Sequence, residues 1–364
     1  MKALTVIGMM SGTSFDGVDA AIIKTNGIKI HSLGETDMSS YNDALRKKIR
    51  FLMNRKHSIR IMMDVENEVA IEHANVVKSL LKKANLKSSD IDLIGFHGQT
   101  IYHDPAKRKT LQVGNASLLA ELTGINVISD FRSRDISAGG EGAPLVPFYH
   151  QALCENLKKP VAVLNIGGVA NVTYIDDNHL IAFDTGPGGA LLDDWVYERT
   201  KKNYDDDGKI ARLGVPHENI LELFMKQKFF SAKPPKSLDR NKFKAMMSKM
   251  SHLSTEDGAA TLTHLTARSV CEAQKFFPKK PRKWILCGGG SKNSLLRDIL
   301  SRQYGLDIAD IGELKASGVF IDPGFVEAQA FGFLAARSYY NLPLTTPATT
   351  GVRADVSGGA LYRF

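Results

Sequence analysis

Two periods of hydrophobic residues alternate along this chain. Short apolar runs at Leu4 to Ile7 and Val18 to Ile23 flank a polar, glycine-rich stretch, and residues 8–19 read GMMSGTSFDGVD. That pattern predicts a β-hairpin with an unusually polar turn. Strands are expected at 3–9, 17–24 and 28–34, then helices near 41–54 and 60–84. In the second helix Val65, Val69, Ala70, Ala74, Val77, Leu80 and Leu81 recur near helical spacing. IDLIGFHG (91–98) reads as a buried strand ending in a polar turn, with short strands at 110–113 and 125–128 around a helix at 115–123.

The middle of the chain restarts this pattern. VAVLNIGGVANVTYI (161–175) is again strand, glycine turn, strand, and HLIAFDTGPGGA (179–190) is a third strand leading into a helix from Leu191 to Lys201. The unit at 3–34 thus recurs at 161–185, which predicts an internal pseudo-repeat and two related lobes facing one cleft. The remainder is mostly helical, near 216–227, 257–277, 292–303 and 323–340, with one strand, Lys283 to Cys287, running into GGGS (288–291). The stretch SDFRSRDISAGGEGAPLVP (129–147) has the turn residues and charge of a functional loop rather than a linker. SAKPPKSLDRNKF (231–243) is a proline-broken basic loop, and the irregular tail from Leu342 is expected to cross back onto the first lobe.

Composition narrows the class. A chain of 364 residues is long for a single core. Its 43% hydrophobic and 24% charged residues are ordinary for a soluble enzyme. The net charge of +8 raises the question of nucleic acid, but the lysines are scattered over helix surfaces without an arginine-rich stripe. No nucleic-acid partner is therefore expected. Cys154, Cys271 and Cys287 form no disulfide framework and no CxxC pair, which fits a reducing cytosol. Lys2 followed by apolar Ala3 to Met10 resembles a minimal signal peptide, but Asp16 and Asp19 follow at once, so a first strand is expected. No stretch reaches the length of a membrane span.

Three glycine turns follow strands, at 8–17, 184–189 and 288–291. In the first, backbone N–H groups and the hydroxyls of Ser11, Thr13 and Ser14 can address an anion. Asp16 and Asp19 are acceptors in the same turn, where a carboxylate beside phosphates needs a metal ion between them. The alternative is an ordinary hairpin turn. It is not a Walker loop, because no Gly-Lys-Ser/Thr follows. Taken together, the three turns describe a nucleotide clamp, the third letting adenosine approach the backbone ahead of the helix from Lys292.

Asp184 ends a buried strand, as a helix cap or as a general base or metal-water ligand. His97 is either a structural histidine or a substrate contact. Arg132, Arg134, Asp135 and Glu141 form surface ion pairs or recognise an acidic, hydroxylated ligand. Glu327 either favours a helix N-terminus or is the second carboxylate of a pair with Asp184.

GMMSGTSFDGVDAA, GFHGQTIYH, LQVGNASLLAELTGINVISDFRSRDISAGGEGAPLVP, NIGGVANVTYI, FDTGPGGALLDDW, CGGGSKN and GFVEAQAFGFLA occur in one order over nearly the whole chain. This set strongly resembles the anhydro-N-acetylmuramic acid kinases, bacterial sugar kinases of the actin/hexokinase/Hsp70 type. The resemblance implies an α/β, two-lobed actin-like ATPase fold, two ribonuclease-H-like domains around a central cleft. The lobes are expected at 1–130 plus the tail from about 342 to 364, and at 131–341. It further implies hydrolytic opening of 1,6-anhydro-N-acetylmuramic acid with phosphorylation of O6, using ATP and Mg²⁺, in cytoplasmic peptidoglycan recycling by a homodimer.

Carried over by position, Gly12, Thr13, Ser14, Phe15, Asp16, Gly17, Val18 and Asp19 match the ATP-phosphate loop, with Asp16 near the metal. Gly167, Gly168, Asn171, Gly186 and Gly188 match the second phosphate side, and Gly288, Gly289 and Gly290 the adenosine side. Asp184 matches the residue that activates water, and Glu327 a second acid at the sugar. His97, Gln99, Arg132, Gly142, Ala143 and Pro144 match the sugar surface. The chain departs from the family pattern at Gly189, Glu141 and Leu238-Asp239. The competing readings are a kinase of the same fold acting on another hexose derivative, and a non-catalytic nucleotide-sensing or nucleic-acid-binding protein.

Overall fold

The N-terminal hairpin opens the first of two sheets. The computed structural model describes residues 1–12, 15–53, 58–239 and 242–364. Strand β1 (Leu4–Ser11) pairs antiparallel with β2 (Gly17–Thr25), and β2 with β3 (Ile30–Ser40). Strand β4 (Leu93–Asp104) joins β1 in parallel and carries β5 (Lys109–Val113) as an antiparallel partner. Strand β6 (Val127–Ser129) then adds in parallel to β4.

The second sheet repeats that plan. Strands β7 (Val161–Ile166), β8 (Val169–Ile175) and β9 (Leu180–Pro187) form an antiparallel meander. Strands β10 (Lys283–Cys287) and β11 (Ile308–Asp310) add in parallel beyond β7. The spatial orders β3-β2-β1-β4-β6 and β9-β8-β7-β10-β11 are the same ribonuclease-H-like arrangement. The pseudo-repeat expected from the glycine turns is thus a repeat of sheet topology. A ribbon of β12 (Lys315–Ala316) and β13 (Val319–Phe320) follows, and β14 (Ala360–Tyr362) pairs antiparallel with β6. The tail does return to the first sheet.

The compact units run from Met1–Leu153 with Leu314–Phe364, and from Cys154–Glu313. These limits differ from the expected divisions at 130 and 342. The later limit shifts because the helix Val326–Tyr339 lies against β1, β2 and β4 rather than in the second unit, and the earlier one because Tyr149 of the helix Pro147–Leu153 hydrogen-bonds Gln329 of that same helix. A methyl group at Gly8 of β1 would collide with the Ala328 carbonyl, and one at Gly95 of β4 with the Phe331 carbonyl. Bare backbone in both strands lets the helix sit directly on the sheet. Every residue from Ala328 to Ala336 is buried as a result. On the other face Val65, Val69, Val77 and Leu80 of the helix Ile59–Lys83 fill the core, as their spacing predicts.

In the second unit Leu164, Val172, Phe183, Trp284 and Leu286 form one core cluster, and Trp195, Phe224, Phe229, Phe230 and Phe243 form another. The single helix expected at 292–303 is instead a short helix, Ser294–Asp298, followed by a wider turn, Ile299–Gln303. Asn293 sets its start by accepting the Leu296 N–H. Among the described residues no helix is long and apolar enough to cross a membrane.

Candidate active site

The turn between β1 and β2 is held from several sides. Buried Phe15 takes φ 61° and donates its N–H to Gly12 O at 3.3 Å. Tyr41 N–H reaches Asp16 O at 3.0 Å. Arg46 donates to Phe15 O at 3.1 Å and to Tyr41 O at 3.2 Å. Gln99 Nε2 donates to Gly12 O at 3.0 Å. The Ser11 hydroxyl is buried and donates to Gly98 O at 3.1 Å, so it braces β4 rather than facing an anion. Val18 is in the core and Gly17 opens β2, so among the described residues of this turn the groups presented are backbone and carboxylates. Thr13 and Ser14 lie outside the described residues.

Acidic groups converge here. Burial raises the Asp19 pKa to about 6, and the charges of Glu327, Asp16 and Asp322 push in the same direction. Asp16, Asp322 and Glu327 are all exposed. Although Glu327 keeps an exposed surface, the protein crowded around its carboxyl raises its pKa, while Arg132 pulls it down. Glu327 arrives because it lies in the first turn of the helix Val326–Tyr339, which is seated on Gly8. Among the described residues no three His, Cys, Asp or Glu side chains gather closely enough to hold a metal by themselves.

Beside this cluster, His97 is buried with both ring nitrogens engaged. Nδ1 lies 2.7 Å from Gly98 O and Nε2 lies 3.0 Å from Arg132 Nε. A carbonyl only accepts and a guanidinium only donates, so His97 is the neutral Nδ1–H tautomer. Burial, reinforced by Arg132, drives its pKa well below the ordinary value. Arg132 in turn donates Nη1 to Gly142 O at 2.6 Å. Burial lowers the Arg132 pKa to about 10, with Glu327 and Asp135 opposing. Gly142 N–H donates to Asp135 Oδ1 at 2.6 Å, and Thr350 Oγ1 donates to Asp135 Oδ2 at 2.6 Å. The Gly142-Ala143-Pro144 turn is therefore fixed through Arg132 and Asp135, and Glu141 N–H is held by Thr350 O at 2.8 Å. His97 and Gln99 act on protein partners.

The second unit holds a pocket of about 530 Å³. Gly167, Gly168, Gly188, Gly189, Gly289 and Gly290 line it, so two of the predicted glycine turns and the β7–β8 turn meet there. Gly188 and Gly189 donate their N–H groups to the Gly168 and Gly167 carbonyls at 3.1 and 2.8 Å. Gly288 and Gly186 do not line the pocket. Gly288 makes the sharp turn behind it with φ 80° and ψ 169°, and Gly186 packs against Ser269. Asn171 is a β8 residue paired with Asn165 and with Asp184. The sequence did not single out Asp193, Tyr204, Asp205–Asp207, Thr263 or Thr266, which also line it. They lie in a short acidic turn (204–207) and on two helices, Asp193 on Ala190–Thr200 and Thr263 and Thr266 on Thr255–Ala273, where no motif marks them.

Half-buried Asp184 sits near the end of β9. Its N–H donates to Lys236 O at 3.0 Å, and its Oδ2 accepts the Leu238 N–H at 2.7 Å. Gly189 occupies the N-cap of the helix from Ala190 without any side-chain cap, so Asp184 is not its capping residue. The side chain of Leu238, one of the departures from the family pattern, is buried in the core.

Residues 4–364 match the family model described as anhydro-N-acetylmuramic acid kinase. The chain is 43% identical to an anhydro-N-acetylmuramic acid kinase of Bradyrhizobium diazoefficiens, covering 99% of each chain. It is 44% identical to one of Rhodopseudomonas palustris, again over 99% of each. Among solved structures it resembles, at 15% identity and TM-score 0.44, the ADPNP-bound activator of 2-hydroxyisocaproyl-CoA dehydratase from Clostridium difficile, over 93% of this chain and 97% of that one.

Proposed function

The chain belongs to the anhydro-N-acetylmuramic acid kinase family, and from that premise we propose that it hydrolytically opens 1,6-anhydro-N-acetylmuramic acid and phosphorylates O6 with ATP. The products are N-acetylmuramic acid 6-phosphate and ADP, formed in the cytoplasmic recycling of peptidoglycan fragments. The family match over residues 4–364 carries this reading, and the placement of Asp184 supports its chemistry.

Asp184 is the base. It takes a proton from water as the water oxygen bonds to C1. The C1–O6 bond breaks and its electron pair moves to O6. O6 then bonds to the γ-phosphorus, and the β–γ bridging oxygen leaves with ADP. Capture of O6 by the phosphoryl group replaces the general acid that an ordinary glycosidase needs.

The Gly12–Asp19 turn cradles the phosphates, and the glycine-lined pocket of the second unit takes the adenosine. Arg132 meets the acidic sugar with the Gly142–Pro144 turn, and His97 and Gln99 hold Arg132 and Gly12 in place. Asp16 and Asp19 offer oxygen donors where repulsion among carboxylates already favours a cation. Too few for a closed cage, such donors suit Mg²⁺ shared with ATP phosphates, and that ion neutralises phosphate charge when bound.

A substrate comparison tests the reading. With ATP, the protein should phosphorylate the anhydro sugar and leave ordinary reducing hexoses untouched. Phosphorylation of a reducing hexose with the anhydro sugar inert would replace it with the alternative sugar-kinase reading.

A further inference from the structure

The loop that grips Asp184 is itself anchored by a charge in an unusual place. Lys236 Nζ lies 4.5 Å from the Phe229 ring centroid, 4.7 Å from Phe276 and 5.7 Å from Phe183. It also donates to the Phe229 carbonyl at 2.9 Å. These rings come from three separate segments, and Phe183 immediately precedes Asp184 in β9. Lys236 thus touches β9 twice, by its side chain at Phe183 and by its own carbonyl, which accepts the Asp184 N–H at 3.0 Å. Two residues on, Leu238 N–H reaches the Asp184 carboxylate while its side chain is buried. The loop is pinned at Lys236 and at Leu238, the residue whose N–H meets the carboxylate.

We propose that Lys236 is a positioning residue for Asp184, its ammonium lodged among three phenylalanine rings to hold the 236–238 loop against the end of β9. The inference rests on the reading of Asp184 as the base. Burial pulls the Lys236 pKa down to about 8, Lys275 adds to the shift and Asp184 opposes it. Lys242 also approaches the Phe229 ring, at 5.4 Å. The ring faces offset part of the cost of holding a charge there. An apolar side chain would fill such a box without desolvating a charge, so stability alone does not call for a lysine.

The experiment compares wild type, Lys236→Met, Lys236→Arg and Asp184→Asn as full-length proteins. It reads kcat, KM for the anhydro sugar, ATP affinity by calorimetry, the melting temperature and the pH profile. Lys236→Met should lower kcat by about tenfold to a hundredfold, as expected for a slightly misplaced base. ATP affinity should stay within about twofold, with melting little changed, and Lys236→Arg should restore most of kcat. The wild-type rate should fall as pH rises past 8, and in Lys236→Arg that alkaline limb should move upward.

A Lys236→Met enzyme with wild-type kcat, beside an inactive Asp184→Asn, overturns the inference alone. Near-normal turnover in Asp184→Asn overturns the reading of the base, whatever Lys236 does. Parallel loss of kcat, ATP affinity and melting temperature without rescue by arginine makes Lys236 merely structural and also overturns the inference. Should Lys236→Met fail to fold, an unmoved alkaline limb in Lys236→Arg does the same.

Discussion

The adjacent glycines of the GGGS turn should respond to alanine in opposite ways. Gly288 combines φ 80° with ψ 169°, a region essentially closed to side chains, which costs about 1–3 kcal/mol for any other residue. A methyl group there would also collide with Asn165 Oδ1, and overpacking of that kind adds about 1–3 kcal/mol. Gly288→Ala should therefore lose about 2–6 kcal/mol, roughly 5–20 °C in melting temperature for a unit of this size. A methyl group on Gly289 would meet nothing within 4 Å, and its φ is not positive, so Gly289→Ala should leave folding within about 0.5 kcal/mol.

Gly289 does line the pocket, however. If adenosine packs against that backbone, the added methyl group should raise the KM for ATP several-fold, with melting unchanged. Thermal denaturation and ATP-dependent kinetics on both variants decide the matter. Equal destabilisation of the two variants, or a harmless Gly288→Ala, would refute the backbone argument. An unchanged KM for ATP in Gly289→Ala would refute the adenosine placement.

Three further outcomes follow. Asp184→Asn should cut kcat by about a hundredfold to ten-thousandfold while ATP still binds, because an amide oxygen can still accept the Leu238 N–H; calorimetry beside kinetics checks both halves. Arg46→Ala should raise the KM for ATP, measured at saturating sugar, since it removes two donors that hold the phosphate turn. His73 is buried, its Nε2 has no partner among the described residues, and burial lowers its pKa to about 4. Its unfolded form takes a proton below pH 6.5 that the folded form refuses, so stability present above that pH is lost as pH falls toward 4. His73→Phe should make the pH dependence of urea unfolding shallower there by about 1.4 kcal/mol per pH unit, and identical slopes would contradict this.

The repeat of topology was legible because period-two runs and glycine turns are local signals. Of the three glycine turns expected to form one clamp, those at 184–189 and 288–291 meet at the pocket, and the turn that joins them there, at 167–168, was not in that set. The unit boundaries were not legible. Glycines inside β1 and β4 signal a close approach, but nothing local says that the helix Val326–Tyr339 makes it, some 240 residues or more away in sequence. His97 stood between two readings until the geometry showed both ring nitrogens occupied by protein. The grip on Asp184 was hidden for a similar reason. Residues 236–238 carry no periodicity, and their contact is made through a backbone carbonyl and N–H that every residue but proline possesses.

One turnover joins two events, ring opening by water and phosphorylation of the released oxygen. Mass spectrometry of the product formed from anhydro sugar and ATP in ¹⁸O-labelled water reads both. The expected product carries one ¹⁸O at C1 and an unlabelled bridging oxygen in a phosphate ester at O6. A phosphorylated product that retains the anhydro ring, or that carries the label at O6, would contradict the coupled reaction.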